Sequence, residues 1–319
     1  PIVPVLQLPN GDCIQDTTDI IDCLEGRHPQ SSIYPDTPVQ KLVAMLLEFY
    51  GDEWLVIPAM HYRWSVLDQQ YDFIMSEFGR MSAPEATYDE QIAIGEKTSR
   101  PFRGSIFALG ITPETIPAIE QAYGDLLAQL DNHFSKYDFL LGSRPSIGDF
   151  GLMGPLYAHL ARDPVPKTLM QETAPHVYAW VQRMNAPEPL AGHFLPDDKV
   201  PETLLPVLRT LCKDQLPDVL DVIEHNAAFV DEHPEESIPR VLGMHSFTTG
   251  GVTGQRYVSS YAQWMFQRPL QYYQTLSGEA LSRADELLRA AGGYESMQVK
   301  LPYVLRRKPG QLELVVASV

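Results

Sequence analysis

The sequence predicts a small α/β segment at the start, a long all-helical body behind it, and an added α+β module at the end. Three observations predict that order. An Asn10-Gly11 pair lies between two short apolar runs. From Val39 to Met184 apolar residues recur at helical spacing. Beyond residue 195 the pattern turns mixed, with a glycine-rich stretch and two strand-like runs near the end. The expected units are residues 1–35, 36–194 and 195–319.

Residues 3–8 are short, apolar and β-branched enough for a buried strand. Asn10-Gly11 is the strongest short hairpin signal, because both residues tolerate positive φ. Cys13-Ile14-Gln15 then returns antiparallel. Asp16 and Thr17 can accept from the free N–H groups at a helix start. Ile20, Ile21 and Leu24 give that helix an apolar stripe, and Gly26 is expected to end it. A two-stranded hairpin with one helix is marginal alone. Further strands are therefore expected, upstream or from a partner.

A Pro-rich linker, "RHPQSSIYPDTP", leads into the helices. Val39, Leu42, Val43, Leu46, Leu47 and Tyr50 form one helical stripe. The pattern runs on through "GDEWLVIPAMHYRW", with Gly51 and Pro58 as expected kink points. A second helix is expected over 65–80, whereas 82–115 gives no clear pattern. Ile119, Ala122, Tyr123, Leu126, Leu127, Leu130 and Phe134 define an amphipathic helix. In "FLLGSRPSIGDFGLMGPL", Ser146 and Asp149 stand three apart at a helix start, a capping box with Asp in place of Glu. "APHVYAWVQRM" is a further helix that should bury Val177, Trp180, Val181 and Met184. In the last unit, 201–231 reads as helix interrupted at Pro206 and Pro217. Residues 238–258 read as a hairpin around "TTGGVTG", followed by helices near 257–275 and 278–291. Two strand-like runs flank Lys308-Pro309-Gly310.

The formal net charge of −17 argues against nucleic acid and against an anionic membrane surface. No apolar run approaches a membrane span, and the start carries no signal-peptide pattern. Three unevenly spaced cysteines, Cys13, Cys23 and Cys212, suit a reducing, cytoplasmic setting. There is no CxxC pair, and the histidines are scattered, so no metal site is expected.

Two separated motifs resemble the cytosolic glutathione S-transferase family. "VPVLQLPNGDCIQDTTDIIDCLE" is similar to the second half of that family's thioredoxin-like domain: a strand opened by Val-Pro, a hairpin, then an acid-Ser/Thr pair starting a helix. "FLLGSRPSIGDFGLMGPL" is similar to its C-terminal helical domain, where a Ser/Thr-x-x-Asp box starts the central helix. The resemblance covers about residues 1–190. It implies a β-α-β segment ahead of Pro1, carrying the Tyr, Ser or Cys that activates the glutathione sulfur. The chain is accordingly expected to be a fragment of a longer protein, the alternative being loss of the family's catalytic half-domain. The catalytic residue is expected upstream and is otherwise unknown.

The resemblance also implies site residues. Val3, beside a cis Pro4, would turn its backbone toward the cysteinyl part of glutathione. Asp16 would accept from the γ-glutamyl ammonium, and Thr17 with the helix N-terminus would hold the γ-glutamyl carboxylate. Gln15 and Asp19 are lesser candidates. An N-cap needs no ligand, so Asp16 and Thr17 also have a purely structural reading. His61, Tyr62, Arg63 and Trp64 would wall the pocket of a small electrophilic second substrate. Their structural reading is a packed helix with Arg63 paired to an acid such as Asp52 or Glu53. Ser146 and Asp149 are read as structural. "TTGGVTGQR" lacks the Gly-Lys-Ser/Thr ending of a phosphate loop and is read as a turn. "WMFQRPLQYY" is read as core or an interdomain face. The implied function is a glutathione transferase or thiol reductase, with glutathione as co-substrate and a homodimer as the working form. The alternative is a transferase-fold scaffold that does no chemistry.

Overall fold

The computed structural model describes residues 4–104, 106–186, 192–308 and 313–317. The chain is mostly helical, with three two-stranded antiparallel sheets among the described residues. Strands β1 (Val5–Gln7) and β2 (Cys13–Gln15) form the first hairpin, with Val5 opposite Gln15 and Gln7 opposite Cys13. No third strand joins it among the described residues. Helix α1 (Thr17–Arg27) follows; it runs one residue past Gly26 and is closed by the Leu24 carbonyl, which accepts from His28 N–H at 2.9 Å.

The body begins with α2 (Pro38–Glu53) and α3 (Val56–Trp64). The break falls at Trp54-Leu55, not at Gly51 or Pro58. Pro58 sits in the first turn of α3, where a missing N–H costs nothing. Gly51 has a packing role instead. A Cβ there would meet the Gly151 carbonyl oxygen at 2.4 Å, so α2 touches its neighbour backbone to backbone. That neighbour is α8, reached after α4 (Tyr71–Ser82), α5 (Tyr88–Thr98), the short α6 (Arg100–Arg103) and α7 (Ile116–Phe134). Helix α8 (Ile147–Pro155) crosses α2 in the middle of the core. Helices α9 (Pro164–Thr173) and α10 (Pro175–Met184) complete the set.

Helices α11 (Leu205–Thr210) and α12 (Leu216–Glu232) are joined by a π-helical turn over 211–215, and Pro206 and Pro217 both lie in first turns. Strands β3 (Val241–Thr249) and β4 (Val252–Ser259) close on Gly250-Gly251, both at positive φ, as a tight two-residue hairpin requires. Helices α13 (Ser260–Thr275) and α14 (Gly278–Ala291) follow, then β5 (Leu305–Arg307) paired with β6 (Leu314–Val316). One apolar cluster runs from Ile33 to Leu314, so residues on both sides of position 195 share a core. Helix α13, the aromatic stripe of the sequence, lies on α2 with Met265, Phe266 and Leu270 fully covered.

Candidate functional site

The hairpin register sets the site. The Pro4 carbonyl accepts from Asp16 N–H at 3.2 Å, which holds the strand start beside the start of α1. Val3 lies outside the described residues. Asp16 is the N-cap, and its Oδ1 accepts from Thr18 N–H at 3.0 Å. Its backbone sits at φ 86°, a region that a non-glycine residue occupies only when its surroundings force it. Thr17 is exposed, at the first helical position. Among the described residues its hydroxyl has no hydrogen-bond partner. Thr18 instead faces inward, toward Glu48 at 3.3 Å and the Met265 sulfur at 3.8 Å.

The Asp16 carboxylate is engaged from the far end of the chain. The Tyr261 hydroxyl donates to its Oδ2 at 2.8 Å. The Arg307 guanidinium, almost fully buried, lies 3.7 Å from Oδ1 and donates to Asp19 Oδ2 and to the Gln15 carbonyl, both at 2.7 Å. Trp264 lies under that guanidinium at 5.7 Å. The two lesser candidates, Gln15 and Asp19, therefore meet Asp16 through Arg307. Burial raises the Asp19 pKa, and the charge of Arg307 works against the rise.

A second cation fixes the whole segment. Arg268 of α13 bonds Glu48 Oε2 at 2.8 Å, Asp22 of α1 at 3.0 and 3.1 Å, and the Tyr34 hydroxyl at 2.8 Å. Burial opposes its charge, yet Glu48, Tyr34 and Asp22 outweigh that and raise its pKa. Burial pushes Glu48 up to about 6, against the pull of Arg268. Glu53, one turn and a half further on, is pushed up to about 7 by its depth in the fold, although water still reaches part of the residue. Arg256 pulls it back down.

These raised acids fix the sign of a pH effect. Between the ordinary value near 4.5 and about 7, folded Glu53 keeps a proton that the unfolded chain has lost. Its contribution to stability is complete below that window and is lost as pH rises through 7. Glu48 acts in the same direction up to about 6. Relative to the parent, Glu53→Gln should gain stability in urea as pH rises from 5 to 8, and an unchanged difference between the two proteins would remove Glu53 as a contributor. Buried His133 and His159, lowered by burial to about 4 and about 3, act in the opposite direction in both proteins alike.

The helix with the expected second-substrate wall is mostly buried, with Val56, Met60 and Arg63 half-covered along one face. His61 is buried, and its Nε2 lies 3.0 Å from Glu120 Oε1; burial lowers its pKa. Tyr62 packs on Tyr123 at 5.3 Å between ring centres. Arg63 forms a two-pronged pair with Asp163, 2.7 Å on each arm, and also bonds the Ala158 carbonyl. Its acid is thus neither Asp52 nor Glu53. Trp64 is buried in a small separate cluster with Ile74 and Met75. A cavity of about 20 Å³ between Trp54, Pro58, Tyr123 and Asp214 has room for about one water, and none of residues 61–64 lines it.

Behind this helix stands the Ser146–Asp149 box. Asp149 is fully buried and accepts from Ser146 N–H at 2.8 Å, the Ser146 hydroxyl at 2.9 Å, Leu140 N–H at 3.1 Å and Trp180 Nε1–H at 3.1 Å. It joins the loop before α8 to α8 and α10. Residues 114–188 match the glutathione S-transferase C-terminal domain family. That match takes in α7, α8, α9 and α10, with the Asp149 box at its centre. No curated protein and no solved structure matches the chain. The transferase-type helical domain thus stands on the chain's own match, while everything before 114, the hairpin and α1 to α6 included, and everything after 188 lie outside it. Among the described residues no group of three or more His, Cys, Asp or Glu side chains has metal-holding geometry. No helix among them is long and apolar enough to cross a membrane.

Tyr261, Arg268 and Arg307 are absent from the sequence reading of the site. Nothing local marks them: Tyr261 meets Asp16 across 245 residues, and Arg307 meets Asp19 across 288.

Proposed function

We propose that the protein binds glutathione at the start of α1 and uses its thiol on a small electrophilic substrate. The observation that carries this reading is the pair Asp16–Thr17. Asp16 holds a strained φ, and Thr17 presents an exposed hydroxyl at a helix N-terminus. A γ-glutamyl carboxylate there would meet the Thr17 hydroxyl and the positive end of α1. The ammonium of the same group would face Asp16 and Asp19. Pro4, held beside Asp16, puts the strand start where the cysteinyl part would lie. The glutathione S-transferase C-terminal domain match supports the reading. The homodimer and the cytoplasmic setting are part of the same proposal.

A second reading is a transferase-fold scaffold without chemistry. It is favoured by one observation: Tyr261 and Arg307 already engage the Asp16 carboxylate.

Calorimetric titration with glutathione separates the two. Parent protein should bind, and Thr17→Ala should weaken binding about tenfold, the effect of one hydrogen bond to a charged group. No heat of binding in the parent protein would sink the glutathione site and leave the scaffold reading.

A further inference from the structure

We propose that Arg307 and Tyr261 form an internal clasp that competes with the ligand's ammonium for the acidic side of the α1 site. This rests on the glutathione reading above. A ligand ammonium would need oxygen acceptors at Asp16 and Asp19. Arg307 now donates to Asp19 Oδ2 and stands 3.7 Å from Asp16 Oδ1, while Tyr261 donates to Asp16 Oδ2. The carboxylate side of the site is left open, because Thr17 is exposed. The two halves of one zwitterionic head group thus meet different situations: an open donor set, and an acceptor set already holding a cation.

The clasp is built to release a side chain without moving a strand. Leu305, two residues before Arg307, is anchored to α13: its N–H donates to Gln267 Oε1 at 3.0 Å and its carbonyl accepts from the same amide. Strand β6 is tied down as well, its Leu314 carbonyl accepting from Ile238 N–H at 2.9 Å. Trp264 gives the guanidinium an aromatic face on which to remain once it leaves the acids. The ligand then binds only the fraction of molecules in which Arg307 has swung away, and its apparent affinity falls by that fraction.

The test is glutathione titration of parent protein, Tyr261→Phe and Arg307→Gln, with far-ultraviolet circular dichroism as the folding check. Arg307→Gln should bind on the order of tenfold tighter than parent, as expected if about nine molecules in ten are closed. Tyr261→Phe removes one hydrogen bond and little packing, and should tighten binding about threefold on the same logic. Adding Thr17→Ala to either variant should undo the gain. Should Arg307→Gln fail to fold, Tyr261→Phe alone decides the matter. Equal or weaker binding in folded variants, with the parent binding and sensitive to Thr17→Ala, overturns the clasp and leaves the glutathione reading intact. No binding by the parent overturns the glutathione reading and the clasp with it.

Discussion

Asp149→Ala should destabilise the helical body by about 4 kcal/mol, the largest effect of any single substitution considered. The variant deletes an acceptor that takes four donors at once, three of them N–H groups from Ser146, Leu140 and Trp180. All are buried, and each loses a bond to a charged or strongly polar oxygen, about 1.5–3 kcal/mol apiece before relaxation. Some of that is recovered as the site collapses, so the sum is not additive. The cost is a large share of the roughly 5–15 kcal/mol that holds an ordinary domain together. Ser146→Ala provides the internal scale. It removes one hydroxyl at the same box and should cost about 1 kcal/mol. Urea unfolding followed by tryptophan fluorescence measures both, since Trp180 is itself one of the donors. Comparable losses in the two variants would mean that Asp149 is an ordinary cap and not the junction of three segments.

Much of the fold was legible because it is written locally. Asn10-Gly11 marked the first hairpin, although only Gly11 takes positive φ and the loop closes with Leu8 opposite Asp12, and Gly250-Gly251 lies at the turn of the second. The stripe from Ile119 to Phe134 became α7. The stretch 82–115 failed for a physical reason. Gly95 interrupts the helical pattern, but it is where α5 touches α4. A Cβ on Gly95 would fall 1.9 Å from the Met75 carbonyl oxygen. Helix propensity counts such a glycine as a defect, and only the partner helix shows that it is a contact. Gly51 was misjudged as a kink for the same reason.

The candidate site divides along the same line. Asp16 and Thr17 were legible because a helix start announces itself in sequence. Thr18 was not, since neighbouring threonines look alike until one of them faces Glu48. The dense "HYRW" stretch was ambiguous from the outset. Polar and aromatic residues suit a ligand wall or a crowded core equally, and the neighbour that decides Arg63 is Asp163, a hundred residues on. Arg307 and Tyr261 lie further still from the acids they meet. Recognition of a cation by a carboxylate leaves no trace in spacing when the two groups belong to opposite ends of the chain.

Arg268 is the residue on which the placement of α1 depends, and Arg268→Met should cost about 3 kcal/mol. Its guanidinium joins three segments: α1 through Asp22, the linker through Tyr34, and α2 through Glu48. Glu48 is the expensive partner. It is nearly fully buried, and without Arg268 its charge has no counter-ion within bonding distance among the described residues, leaving the Thr18 hydroxyl as its hydrogen-bond partner there. Removing one member of such a pair typically costs 3–5 kcal/mol, while replacing both by apolar groups is often neutral. The low end applies here, because Glu48 is already raised to about 6 and can take up a proton instead. Two measurements follow. Adding Glu48→Met to Arg268→Met should recover most of the lost stability in urea. Hydrogen exchange should speed up in α1, whose Asp22 loses Arg268 in both variants and keeps only the Tyr34 hydroxyl, at 2.6 Å, from the linker, while α8 stays protected. If the double variant were as unstable as the single one, the cost would lie in the contacts to Asp22 and Tyr34, and the buried charge would not be the cause. If α1 exchange were unchanged, α1 would owe its position to the contacts of Arg307, Tyr261 and Thr18 and not to Arg268.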